Sequence, residues 1–213
     1  MAVYYLVFTN VFKVKEDNYG FFIFSGIIIW NVFSEASTRG MGIARQKLYL
    51  IENIQFKWID IFHSFNLSIF IGFSFNLFAF ILLQLIFGQL PDLELFLLPI
   101  LLIQLYIILL GLILILATLQ PFFKDLVHLW DMVLLVGFWS SGIFFNTESI
   151  LNFFPTAIYL NPFIGIISNG RAILMLSSEI NYTYLMVNTL QVIPIFLLGK
   201  IIFKKNFPIA IEK

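Results

Sequence analysis

Long apolar runs separated by short polar segments dominate the hydrophobic pattern of this chain. Five runs are long enough to cross a bilayer, whose hydrocarbon core of about 30 Å requires about 20 helical residues. Lipid offers the backbone no hydrogen-bond partner, and the runs do not alternate as barrel strands do, so we predict helices. The predicted fold is all-α, a polytopic membrane helix bundle with five full transmembrane helices at residues 21–37, 64–87, 95–119, 126–145 and 184–203.

A broken apolar segment, residues 146–183, precedes the last run. Pro155, Pro162, Gly165 and Gly170 interrupt it at short intervals, and both residue types disfavour a continuous helix. We therefore predict short external helices before the last span, packed at the outer membrane surface or folded as a shallow re-entrant hairpin. A sixth span here would carry the lysine-rich C-terminus to the opposite side of the membrane.

Basic residues gather at one set of helix ends, whereas the opposite ends carry only Lys13, Lys15 and Arg171. Because positively charged loops are retained in the cytoplasm, this asymmetry predicts that residues 39–57 and the C-terminus are cytoplasmic. The basic residues on the predicted cytoplasmic side are Arg39, Arg45, Lys47, Lys57, Lys124, Lys200, Lys204, Lys205 and Lys213.

Composition excludes several classes of function. Hydrophobic residues make up 61% of the chain and charged residues 11%, whereas soluble domains have about 25% charged residues. The net charge of zero gives no broad basic surface for nucleic acid, and the absence of cysteine removes thiolate metal sites and thiol catalysis. No G-x-x-x-x-G-K-[ST] loop is present, so any nucleotide would be bound by another polypeptide. We predict that residues 1–213 form a single transmembrane domain, since no repeat or linker divides them.

Four segments carry a resemblance to a known family: GIIIWNVFSEASTRG (26–40), LIENIQF (50–56), FKDLVHL (123–129) and LNPFIGIISNGRAIL (160–174). In order and approximate spacing they resemble segments of the permease subunits of polysaccharide-exporting ABC transporters. Such permeases have a W-N-F-F-S-E-like segment that ends a membrane helix, then an L-I-K-K-x-x-F-P-like cytoplasmic segment. An R-D pair and a late L-N-P…R-A segment follow.

The resemblance implies a coupling helix that docks on an ATP-binding subunit. Its residues here would be Arg45, Leu50, Ile51, Glu52, Phe56 and Lys57. The chain departs from the family pattern at Glu52 and Asn53, where two lysines are usual, and at Lys57, where proline is usual. These departures affect the expected detail of the cytoplasmic contact.

Two other groups of residues match the family pattern. Lys124 and Asp125 stand in place of the R-D pair, at the cytoplasmic end of the family's fifth helix. Asn161, Pro162 and Arg171 match the external L-N-P…R-A positions.

The first twelve residues are apolar but reach only about 18 Å as a helix, which is too short to cross a bilayer unaided. They lack the basic leader and cleavage site of a secretory signal. The family carries an interfacial helix and a complete first membrane helix at this point, so residues 1–12 resemble the outer half of that helix. We predict a partial N-terminal membrane helix in an N-terminally truncated product, a fragment or a sequence with a misassigned start, lacking about 40 to 50 residues.

Each candidate site also has a structural interpretation. Residues 39–60 form either a coupling helix or an amphipathic connector on the lipid surface. Lys124, Asp125, His128 and Asp131 form either a proton relay or metal site, or ordinary charges at a helix end, and the second interpretation is favoured. An external arginine either meets an anionic substrate or, as we expect, forms a structural ion pair with Glu148 or Glu179.

Together these patterns predict a permease subunit, not an enzyme, in an ATP-driven exporter of polysaccharide or lipid-linked glycan of the O-antigen, capsule or teichoic-acid type. The resemblance implies a bacterial or archaeal inner (cytoplasmic) membrane, a second permease copy, and two ATP-binding cassette subunits that hold the ATP and Mg. No cofactor is expected in this chain, and an undecaprenyl-linked glycan is the expected substrate. The alternatives are an ABC exporter permease for a drug or lipid, a membrane-bound enzyme of glycan or lipid metabolism, and an inactive remnant.

Overall fold

The computed structural model describes residues 19–47, 57–88, 93–175 and 180–211, and all regular structure in these ranges is helical. The all-α prediction is confirmed. A 3₁₀ turn, Leu93–Leu97, precedes α4. The helices are α1 (Tyr19–Met41), α2 (Ile43–Gln46), α3 (Trp58–Ile86), α4 (Leu98–Leu119), α5 (Leu126–Ser140), α6 (Thr147–Phe153), α7 (Ala157–Leu160), α8 (Pro162–Leu174) and α9 (Tyr182–Ile211).

Four helical segments of the described chain are long and apolar enough to cross a membrane. They contain α1, α3, α4 and α9, and they correspond to four of the five predicted spans. Helix α3 begins six residues before the predicted boundary at residue 64. Helix α9 continues through Pro194 and Pro208. The predicted partial helix at residues 1–12 lies outside the described residues.

The remaining predicted span, residues 126–145, is shorter in the structure than expected. Helix α5 has 15 residues and a length of about 22 Å, against a hydrocarbon core of about 30 Å. The chain leaves the helix after Ser140, and Gly142 adopts a left-handed conformation with φ of 76°. A helix cannot continue through this conformation, so the apolar residues after Ser140 belong to a turn.

Short helices precede the last span, as predicted. Helices α6 and α7 lead into α8, in which eleven of thirteen residues are buried. Phe163, near the start of α8, packs edge-on against Trp30 of α1. A side chain added at Gly170 would collide with Ile29. Helix α8 is therefore packed among other helices of the chain, and whether it lies at the outer membrane surface or in a re-entrant hairpin stays a prediction.

The chain divides into two compact units. The first comprises the described parts of Met1–Trp30, Phe75–Leu102 and Gly137–Asn188. Its interior is built around α8, whose Gly165 meets the side chain of Asn188 in α9. The hydroxyl of Tyr19 donates a hydrogen bond to the carbonyl of Phe144, 3.0 Å away.

The second unit comprises the described parts of Asn31–Ser74, Ile103–Val136 and Thr189–Lys213. Helices α4 and α9 cross closely here, because a Cβ added to Gly111 would lie 2.7 Å from the Cα of Phe196. Small residues at such crossings let membrane helices approach each other. Phe62 of α3 packs edge-on against Phe203 and Phe207 of α9.

The long helices differ in how much of their surface the chain itself covers. In the most apolar window, 61% of the residues are buried for α1 and for the span that contains α4, against 28% for α3 and 17% for α9. The uncovered residues of α3 and α9 are mostly apolar. Most of the surface of α1 and α4 is thus covered by other residues of the chain, whereas α3 and α9 expose apolar side chains suited to lipid or a partner helix.

Candidate functional site

The predicted coupling segment begins where α1 ends. Arg39, in the last turn of α1, forms an ion pair with Glu35 one turn earlier. Its guanidinium also lies 5.9 Å from the centre of the Phe65 ring in α3. Gly40 packs tightly on Ile113 of α4, because a Cβ there would lie 2.7 Å from Ile113 Cγ2. The end of α1 is therefore fixed against both α3 and α4.

Helix α2 is one turn long and amphipathic. Ile43 and Ala44 are buried, whereas Arg45 is exposed and Lys47, just after the helix, is half-buried. The structure thus presents Arg45 on an accessible surface, where a partner could reach it. The other predicted coupling residues in the loop, Leu50, Ile51, Glu52 and Phe56, lie outside the described residues.

The segment ends at the start of α3. Lys57 is exposed and precedes the helix, and Asp60 lies in the first turn, where a negative charge interacts favourably with the helix dipole. Trp58 packs edge-on against Phe207 of α9, with ring centres 5.1 Å apart. Both flanks of the predicted coupling segment are therefore packed against long helices.

Lys124 and Asp125 lie in the turn that leads into α5, and both are exposed. The carbonyl of Asp125 accepts a hydrogen bond from the amide of Leu129, 3.0 Å away, which starts the helix. Among the described residues, no group of three or more His, Cys, Asp or Glu side chains is arranged to hold a metal ion.

Asn161 and Pro162 start α8. The Asn161 side chain caps the helix by accepting a hydrogen bond from the Phe163 amide at 3.0 Å, and Pro162 occupies the first turn, where its missing N–H costs nothing. The Asn161 side-chain amide also donates to the hydroxyl of Ser141, 3.1 Å away. The Asn-Pro pair thus fixes the start of α8 to the turn that follows α5.

Arg171 is buried inside the first unit, with 4% of its surface exposed. Its guanidinium donates to three backbone carbonyls, those of Phe22 (3.2 Å), Gly142 (3.1 Å) and Ile143 (2.9 Å). It also lies 3.5 Å from the centre of the Phe22 ring, which is cation–π geometry. Gly26 leaves room for this group, since a Cβ there would lie 2.8 Å from Arg171 Nη2.

The arrangement around Arg171 can fasten α8 to α1 and to the turn after α5. Hydrogen bonds to carbonyls spread the positive charge over the backbone in a place that water cannot reach. The expected ion pairs with Glu148 or Glu179 lie outside the side chains that the structure describes. A substrate could reach this guanidinium only if the surrounding helices moved apart.

Several polar side chains inside the apolar runs form hydrogen bonds between helices. Gln84 donates to the carbonyl of Leu174 at 2.6 Å, and Asn66 donates to the carbonyl of Tyr106 at 3.0 Å. The side-chain amide of Gln104 donates to the Thr189 hydroxyl. Asn188 differs, because both polar atoms of its buried side chain lack a hydrogen-bond partner among the described residues.

Sequence reasoning did not identify Gly26, Gly142 or Phe22 as neighbours of Arg171. Its three hydrogen-bond acceptors are backbone carbonyls, which have no side-chain signature, so they could not be identified from residue types. The sequence signals that could have indicated this site were two glycines: Gly26 inside the first apolar run, and Gly142 near the end of the run at residues 126–145.

The fold defines a polytopic α-helical membrane protein, with four described helical segments long and apolar enough to cross a membrane. The chain belongs to the ABC-2 type transporter family, whose sequence profile matches residues 1–175. It is thus a multi-pass membrane permease.

Curated relatives extend this result. An O-antigen export system permease protein, RfbA, of Klebsiella pneumoniae is 25% identical over 204 residues, which cover 95% of this chain and 78% of the relative. RfbA of Myxococcus xanthus is 25% identical over 175 residues, covering 81% of this chain and 67% of the relative. The predicted resemblance to polysaccharide-exporting permeases is confirmed.

Proposed function

We propose that this chain is the membrane permease of an ATP-driven exporter of polysaccharide or lipid-linked glycan, of the O-antigen, capsule or teichoic-acid type. The observation that carries the proposal is its similarity to an O-antigen export permease over 95% of its length. The family match over residues 1–175 supports the transporter class independently of substrate.

ATP and Mg are bound by separate ATP-binding cassette subunits in this proposal. The family match and the lack of a phosphate-binding loop in residues 1–213 support placing ATP on a partner. Two copies of the permease pair with two such subunits, because one bundle of this size is small for enclosing a glycan passage. Arg45 and Lys57 are the described residues of the proposed docking segment, and both are exposed.

Movement would pass from the partner to the membrane helices through the two anchored flanks. Closure of the ATP-binding subunits pushes on residues 39–60. The ion pair and glycine contact at the end of α1, and the aromatic contacts at the start of α3, transmit the push to whole helices. The helices then shift as rigid bodies between two arrangements of the passage.

This mechanism requires residues 39–60 and the C-terminus to be cytoplasmic, in the inner membrane of a bacterium or archaeon. The basic residues between α1 and α3 and after α9 support that orientation. The turn containing Glu94 and helices α6 to α8 are then external.

Replacing Leu50 and Phe56 together with Asp tests the coupling role. The variant should still reach the membrane but lose export, because charges at the docking face disfavour burial in an apolar groove of the partner. Phe153→Asp is the matched control: Phe153 is 92% exposed and lies on the other proposed side of the membrane. Equal export by the double variant and the wild type would overturn the coupling assignment.

Substrate class is tested in cells that make a lipid-linked glycan but lack their own export permease. The chain, expressed with a candidate ATP-binding subunit, should restore glycan at the cell surface. In vesicles, an undecaprenyl-linked glycan should stimulate ATP hydrolysis more than cationic dyes or phospholipids do. Stimulation by a dye or phospholipid alone would instead support an exporter of drugs or lipids.

A further inference from the structure

A cleft of about 490 Å³ opens in the second unit between the end of α1, α2 and the first three turns of α3. Its volume lies within the range of small-ligand sites, about 300 to 1,000 Å³. Its lining combines buried apolar side chains with charged and polar ones. The lining residues are Arg39, Ile43, Gln46, Lys47, Asp60, Ile61, Ser64, Phe65 and Ser68.

The polar part of the cleft suits a phosphate group. Among the described lining residues, Arg39 and Lys47 carry positive charges and Asp60 carries a negative one. Glu35, which pairs with Arg39, lies outside this lining. The Arg39 side chain is 61% exposed. Among the described residues its guanidinium donates one hydrogen bond, from Nη1 to the carboxylate of Glu35. A guanidinium carries five N–H donors in a planar fork that fits phosphate oxygens, so Nε and Nη2 remain to bind an anion.

The apolar part of the cleft suits the upper end of a lipid. Ile43, Ile61 and Phe65 are each less than 10% exposed and form its floor. Next to Ser64 and Ser68 on the surface of α3 lie Leu67 and Ile71, which are each 56% exposed. Residues three positions apart are neighbours on a helix surface. Leu67 is therefore next to Ser64, and Ile71 is next to Ser68, so an exposed apolar surface adjoins the cleft.

A soluble anion would need only the charged rim, whereas an amphiphile uses both parts. The cleft lies at the ends of α1 and α3, next to the exposed cations Arg45 and Lys57. Both helices are long and apolar enough to cross a membrane, so their ends would lie near the level of lipid headgroups. Basic pockets between membrane helices are recognised sites for anionic headgroups. We propose that this cleft binds the phosphate headgroup of an anionic membrane phospholipid, with its acyl chains along Leu67 and Ile71.

Such a lipid would contact both α1 and α3, the helices on either side of the predicted coupling segment. Arg39 belongs to α1, and Ser64 and Ser68 belong to α3. Because a ligand that binds only the folded state stabilises it, bound lipid should raise the melting temperature of the protein. The inference does not depend on which substrate is exported.

The first test uses the purified full chain in a mild detergent, with phosphatidylglycerol or zwitterionic phosphatidylcholine added in increasing amounts. Native mass spectrometry should show phosphatidylglycerol retained on the wild type, and the melting temperature should rise with its concentration. Lys47→Gln should weaken the apparent affinity about tenfold, which corresponds to about 1.4 kcal/mol. Arg45→Gln is the matched control: it removes a positive charge from the adjacent helix without altering the lining, and should retain the lipid.

A second variant tests the cavity rather than its charge. Ser64→Phe would fill the cleft and leave every charge in place, so phosphatidylglycerol retention should fall. Ser74→Phe, at an exposed position further along α3, should retain the lipid.

Three results would overturn the proposal. Equal loss of binding in Lys47→Gln and Arg45→Gln would show general surface attraction, and equal retention of phosphatidylcholine would show that charge is not recognised. Tighter binding of a polyprenyl diphosphate that displaces phosphatidylglycerol would identify the occupant as a lipid carrier and not a phospholipid.

Discussion

Arg171 shows how one buried charge can organise an otherwise apolar unit. Its three carbonyl acceptors belong to α1 and to the turn after α5, and its own Cα belongs to α8. Removing the guanidinium leaves those carbonyls desolvated and removes the cation–π contact with Phe22. We interpret Arg171 as a residue that fixes α8 in place.

The variant Arg171→Met keeps a long apolar stem but loses every guanidinium hydrogen bond. We expect the free energy of unfolding, measured by denaturant titration in detergent, to fall by about 2 to 4 kcal/mol. Arg171→Lys should recover only part of this loss, because an ammonium is compact and cannot reach three separated carbonyls. A wild-type free energy of unfolding in Arg171→Met would contradict the fixing role.

Asn188 and Gln84 should respond in opposite ways to replacement by leucine. Both polar atoms of the Asn188 side chain are buried without a hydrogen-bond partner, so Asn188→Leu should leave the melting temperature unchanged or raise it. Gln84 donates to the carbonyl of Leu174, the last residue of α8, where helix carbonyls lack intrahelical donors. Gln84→Leu should therefore lower the melting temperature. The reverse order would show that Asn188 has a bound water or another partner.

At the scale of elements, the crossing of α4 and α9 depends on two glycines. A Cβ at Gly111 would lie 2.7 Å from Phe196 Cα, and one at Gly199 would lie 2.4 Å from the Gly111 carbonyl oxygen. Backbone atoms cannot move aside as a flexible side chain can. The two helices must therefore separate if either glycine gains a side chain.

We expect Gly111→Ala to lower the free energy of unfolding by about 1 to 3 kcal/mol, the typical cost of overpacking. Gly72→Ala is the matched control, because a Cβ at Gly72 in α3 meets nothing within 4 Å. That control should be neutral or stabilising by up to about 1 kcal/mol, because alanine favours helix over glycine. Equal destabilisation by both variants would mean that α4 and α9 are not in close contact.

Helix existence was predictable from the sequence, whereas several helix ends were not. The apolar runs predict α1 and α4, because a helix that is buried in lipid or protein along its whole length has an unbroken run of apolar residues. The first turns of α3 contain Asp60 and His63, which lowered the apolar signal, yet Trp58 and Phe62 hold them against α9. Helix α5 ends early because of the backbone conformation of Gly142, which hydrophobicity does not record.

The candidate site was predictable only where residue types carry the information. Asn161 followed by Pro162 is typical of a helix start, and in the structure these two residues begin α8. The burial of Arg171 could not be anticipated, because its recorded acceptors are main-chain carbonyls brought together by the fold. The coupling residues Leu50, Ile51, Glu52 and Phe56 stay predictions.

At the scale of the whole molecule, orientation can be measured directly because the chain contains no cysteine. Single cysteines at Lys205, near the end of α9, and at Glu94, in the 3₁₀ turn, can be labelled without first removing others. In intact inner-membrane vesicles of known sidedness, a membrane-impermeant maleimide should label Lys205→Cys from the cytoplasmic side and Glu94→Cys from the opposite side. Labelling of both from one side would contradict the proposed topology.

The central claim is that this chain works as the permease of an ATP-driven exporter, and co-purification tests it most directly. The tagged full chain is expressed with a candidate ATP-binding cassette subunit, and the complex is weighed in detergent and assayed for ATP hydrolysis. We predict two copies of each chain and ATP hydrolysis that depends on assembly. A permease that purifies alone with every candidate subunit, without associated ATP hydrolysis, would contradict the account.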